Sequence, residues 1–90
     1  MRIYLLHIHK DRTEGEWDVF DEYLHFGDFD SLCAEFQNQL SFYKKLGLKL
    51  IGIEEPTLDE GDNKVSGYFK FVDSSGYSFM ARVADIDIGD

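Results

Sequence analysis

Only one stretch of this chain carries helical periodicity, and that limits what the rest can become. Leu32, Cys33, Phe36, Leu40, Tyr43 and Leu46 fall on one side at about 100° per residue. Asp28 or Asp30 can cap the start of this helix, with Ser31 as a neighbouring alternative. Lys44 and Lys45 suit the negative end of the helix dipole, and Gly47 takes the C′ position. Elsewhere the apolar residues alternate, so the helix has to find its cover on a sheet. One helix covers one face of a sheet and leaves the other to solvent or to a partner.

Residues 2–10 and 16–26 read as two strands. The link Arg12-Thr13-Glu14-Gly15 suits a type I turn closed by a glycine bulge. That turn sets Arg12 opposite Glu16 and Lys10 opposite Asp18, two favourable charge pairs, and places His7 opposite Asp21 and Leu5 opposite Tyr23. A third strand spans Leu48 to Glu54, followed by an acidic loop over 55–63. Asp73-Ser74-Ser75-Gly76 matches a second type I turn. It pairs Phe71 with Phe79, Phe69 with Ala81 and Gly67 with Val83, which lands the apolar partners on one face. One proline and the lack of repeats or linkers leave residues 1–90 as a single domain. The expected fold is α+β, in the order β-β-α-β-β-β, with one helix packed on an antiparallel or mixed sheet.

Charge decides which partners such a domain can have. Eighteen acids face nine Lys and Arg, a net charge of −9. The excess gathers between Asp11 and Asp30, again over Glu54–Asp62, and at the C-terminal end. This repels nucleic acid and anionic membrane and attracts basic proteins. Eight Phe, five Tyr and one Trp argue for a packed core rather than disorder. A single cysteine, Cys33, excludes an internal disulfide and fits a reducing compartment. With no apolar leader at Met1–His7, the expected location is the cytoplasm.

No catalytic motif stands out, and no cofactor is expected. His7 and His9 share one side of the first strand, and with Asp21 they make a possible two-His, one-carboxylate metal set. The simpler reading is a half-exposed hydrogen bond between His7 and Asp21 that orders the hairpin. His25 lies too far along the strand to join them, about 13 Å by strand rise. A triad built on His7 and Asp21 lacks a nucleophile, since Cys33 belongs to the helix stripe. Neighbouring acids such as Asp21/Glu22 and Glu54/Glu55 point to opposite faces of a strand and cannot flank one glycosidic bond. The segment Asp59-Glu60-Gly61-Asp62-Asn63 offers oxygen ligands but not the spacing of a calcium-binding loop.

Trp17 and Tyr23 fall on the same face as His7, His9, Asp21 and His25, set among acids. Aromatic anchors ringed by charge are the composition of protein-binding surfaces. In size and acidity the chain resembles, as a class, small inhibitory proteins: immunity proteins and antitoxins that cap a basic nuclease, and phage-encoded anti-defence proteins of the anti-CRISPR or DNA-mimic kind. The resemblance is one of composition and carries no residue roles. It implies a non-enzymatic, stoichiometric inhibitor of a basic nucleic-acid-handling protein, bound through Glu14, Glu16, Trp17, Asp18, Asp21, Glu22 and Tyr23. Two alternatives come from other classes. One is a homo-oligomeric accessory domain, possible as a homodimer that buries its second sheet face. The other is a small metal-dependent enzyme using His7 and His9.

Overall fold

The computed structural model describes residues 2–12, 20–59, 61, 64–74 and 77–87. Its elements are β1 (Arg2–Arg12), β2 (Phe20–Phe26), α1 (Phe29–Lys45), β3 (Lys49–Asp59), β4 (Lys64–Val72) and β5 (Tyr77–Asp87). The strands form one five-stranded sheet in the order β2-β1-β5-β4-β3, and every pairing is antiparallel. This is the expected α+β architecture. Because α1 links β2 to β3, and these are the two edge strands, the connection has to cross the whole sheet. That path lays a single helix over one face and explains why one helix suffices.

Asp28 is the N-cap: its carboxylate accepts from the Ser31 backbone N–H at 2.8 Å and from the Ser31 hydroxyl at 3.0 Å. Asp30 instead adds its charge to the first turn. At the other end Gly47 N–H donates to Lys44 O and Leu48 N–H to Tyr43 O, with Gly47 at φ 83°, a complete Schellman closure. The stripe is narrower than its sequence reading. Leu32, Phe36, Leu40 and Tyr43 are buried, Cys33 is half-buried, and Leu46 is exposed because it is already the C-cap.

The Ser31 backbone N–H, and then its hydroxyl, hold the Asp28 carboxyl below the usual carboxylate range. Its folded pKa is therefore depressed, so its contribution is complete above the unfolded value of about 4 and fades as pH falls through the folded one. The melting temperature of Asp28→Ala is expected to lie below that of the parent near neutrality. Melting curves recorded from about pH 6 down to about pH 3 should show this gap closing. A gap that does not change with pH would mean the carboxylate is not the group that matters.

Leu6, Ile8, Leu32, Phe36, Leu40, Tyr43, Phe69, Phe71, Ala81 and Val83 form the core. The strand members are even-numbered on β1 and odd-numbered on β4 and β5, which identifies the helix-covered face. The β4–β5 register is the expected one, with Phe71 opposite Phe79 and Phe69 opposite Ala81. Two other expectations are corrected. The β1–β2 pairing is shifted by two residues, so that His9, not His7, faces Asp21, and Leu5 faces His25 rather than Tyr23. The observed register sets Leu6 against Leu24 and Tyr4 against Phe26. In this register Leu24 and Phe26 pack, partly buried, against the core, whereas the other register was counted from surface charge pairs worth about 0.2–1 kcal/mol each. A two-residue shift preserves parity, so both faces keep their expected members. The expected turn at residues 13–15 and the expected start of the second strand over 16–19 lie outside the described residues.

The second correction concerns the acidic loop over 55–63. Strand β3 runs on through Glu55 and Pro56 to Asp59, which pairs with Lys64. Two one-residue bulges, between Leu50 and Gly52 and between Glu54 and Thr57, make this possible. Pro56 is tolerated because β3 is an edge strand and the residue sits in a bulge.

Candidate functional site

The face away from the helix carries Leu5, His7 and His9 of β1, Asp21, Tyr23 and His25 of β2, Met80 and Arg82 of β5, Tyr68 and Lys70 of β4, and Glu54 of β3. One row crosses all five strands in register: Tyr23, His7, Arg82, Tyr68, Glu54. The next row begins Asp21, His9, Met80, Lys70. Tyr23 and Tyr68 remain exposed, at 55% and 38%, although both are large aromatics.

The centre of interest is the β1–β2 end of these rows. Asp21 Oδ1 lies 2.7 Å from His7 Nε2 and 2.7 Å from His9 Nδ1. One carboxylate oxygen thus serves two imidazoles on alternate residues of the neighbouring strand. The hydrogen bonds from His9 and then His7 hold the Asp21 carboxyl below the usual carboxylate range, so it is ionised across the neutral range. Asp11 Oδ2 stands 4.0 Å from the other nitrogen of His9. Tyr23 stacks flat on His7, with ring centroids 4.4 Å apart and planes 5° from parallel. The stacking fixes both rings, and it leaves the outer face of the tyrosine to solvent.

The residues expected to form a partner surface divide. Asp21 and Tyr23 come together on the open face. Glu22 faces the other way, opposite Ile8 on the helix-covered side, where its charge adds to the burial that pushes the Tyr43 hydroxyl up. Glu14, Glu16, Trp17 and Asp18 lie outside the described residues. The hydrogen bond expected between His7 and Asp21 is present, although the register behind it differs.

The weaker catalytic candidates stay apart. Cys33 sits on the helix, across the sheet from the histidines, and burial followed by the charges of Asp30 and Glu55 pushes its thiol up. That is the reverse of what a nucleophile needs. Glu54 faces the open side, whereas Glu55 accepts a 2.6 Å hydrogen bond from Gln37 of α1 and helps to seat the helix. Asp59 caps the backbone of Gly61 at 3.0 Å.

Arg82, Tyr68, Lys70 and Met80 are members of the open face that sequence reasoning did not single out. The β4–β5 turn already set Arg82 opposite Tyr68. What the sequence withheld was that β5 lies beside β1, which brings Arg82 next to His7 and Tyr68 one strand beyond it. Among the described residues no helix is long and apolar enough to cross a membrane. Compared with protein-family models, with curated proteins and with solved structures, the chain has no match.

Proposed function

We propose that this chain is a non-catalytic binding domain of the cytoplasm that captures a basic protein, acting as a stoichiometric inhibitor of a nucleic-acid-handling target. The observation that carries this reading is Tyr23, an exposed aromatic held rigid against His7 and flanked by the ionised Asp21. A pre-ordered aromatic loses little entropy on binding and makes a good anchor. The net charge of −9 supplies long-range attraction for a basic partner and repels nucleic acid. The described open face also holds Arg82 and Lys70, so the acidic character belongs to its β2 side and to the whole chain rather than to the sheet centre.

The test is capture of a partner by tagged protein at rising salt, repeated with Tyr23→Ala. A basic partner released by salt, and bound about 30-fold more weakly by Tyr23→Ala, is the expected result, equivalent to about 2 kcal/mol for an anchor residue. A partner held equally well by Tyr23→Ala would remove this surface from the interface. Recovery of the bait alone, with a native mass above the monomer, would replace this reading with self-association.

A further inference from the structure

We propose that His7, His9 and Asp21 form a binding site for a divalent first-row transition ion of the zinc class. The site shares Asp21 with the proposed partner surface and abuts Tyr23, but the inference does not rest on that reading. Its three ligand atoms, one from each residue, all lie within 4.8 Å of one another. They project from two paired strands, with His9 directly opposite Asp21 and His7 two residues along on the same side. A pleated sheet fixes that spacing before any ion arrives, which is what a two-His, one-carboxylate site requires.

The second imidazole is the informative group. A hydrogen-bonded pair that orders a hairpin needs one histidine, yet both rings converge on the same oxygen, Asp21 Oδ1, at 2.7 Å each. An ion about 2.1 Å from each ligand atom sets those atoms about 3.0–3.4 Å apart. The two His–Asp contacts, at 2.7 Å, open by a few tenths of an ångström, and rotation of the imidazoles draws their two nitrogens together from within 4.8 Å.

The surroundings match what metal-bound histidines use. Each ring must turn its lone pair to the ion and carry its proton on the outer nitrogen. For His9 that nitrogen is Nε2, which faces Asp11 Oδ2 at 4.0 Å, too long for a hydrogen bond but close enough for the carboxylate's charge to favour a bound cation. Tyr23, stacked on His7, fixes the plane of the other ring. Asp21 and Asp11 together balance the charge of a divalent ion. The site opens to solvent, so the ion keeps free positions for water or for a group from another molecule.

Calorimetric titration of the full chain with Zn²⁺ tests the site, with Co²⁺ substitution and its visible bands as an independent readout of geometry. One ion per chain is expected. Asp21→Asn and His9→Gln are each expected to weaken binding about 100-fold or more, and Asp11→Asn by about tenfold. His25→Gln should change nothing, because His25 faces Leu5, two residues along from His7, and its ring is not among the ligand atoms that converge. All four side chains are partly or fully exposed, so the variants are expected to fold, and circular dichroism checks this. Binding of less than one ion per chain, or an affinity that survives Asp21→Asn and His9→Gln, would overturn the proposal. So would an equal loss in His25→Gln.

Discussion

Phe69→Ala is expected to remove about half of the protein's stability at room temperature. Phe69 is fully buried in the middle of β4, and Phe36, Tyr43 and Phe71 all pack their rings against it at centroid distances of 5.3–5.9 Å. Two of these rings belong to α1 and one to the sheet, so Phe69 is where the single helix is fastened to the single sheet. Truncating a buried phenylalanine costs about 3–5 kcal/mol, the sum of lost transfer energy and an unfilled cavity. A domain of this size has only about 5–10 kcal/mol in total. Urea denaturation followed by far-ultraviolet circular dichroism should show the midpoint falling by about half, with little change in slope. Phe69→Leu, which keeps most of the volume, should lose much less. A midpoint barely altered in Phe69→Ala would mean the helix is not held at this point.

How far the sequence discloses this fold depends on the range of each interaction. The helix, its Asp28 cap and its Gly47 closure are local, and they could be read from residues within a few positions of one another. The β4–β5 hairpin was legible because its turn and its facing phenylalanines agree. For β1–β2 the visible charges favoured one register and the less visible burial of Leu24 and Phe26 favoured another, and burial prevailed. Parity survived that shift, which is why His7, His9, Asp21 and Tyr23 were correctly assigned to one face. Strand order is different in kind. The pairing of β1 with β5 joins residues from 65 (Arg12 and Tyr77) to 85 (Arg2 and Asp87) positions apart, as the 2.6 Å hydrogen bond from Arg2 to Asp85 illustrates, and nothing local encodes it. The convergence of both histidines on a single oxygen is likewise a matter of side-chain rotation, beyond the reach of spacing alone.

Gly67→Ala is expected to cost about 2–4 kcal/mol, although it adds a single methyl group. Gly67 lies in β4 at φ 154°, beside the bulge that carries Pro56. A Cβ at this position would stand 2.8 Å from Pro56 Cα, 3.0 Å from Pro56 N and 3.1 Å from Val83 Cγ2. The first two are backbone atoms of the neighbouring strand, so no side-chain rotation relieves the overlap. Either β3 moves away or β4 twists, and both loosen the pairing that allows an acidic, proline-containing segment to remain a strand. Hydrogen exchange should therefore show lost protection concentrated in β3 and in the half of β4 that faces it. The double variant Gly67→Ala with Pro56→Ala distinguishes the cause. Removing the proline ring leaves Cα and N in place, so stability should not return, whereas full recovery would show that the ring was the obstacle. Zinc titration of Gly67→Ala, in conditions where it remains folded, should match the parent, because His7, His9 and Asp21 stand on β1 and β2, separated from the disturbed edge by β5.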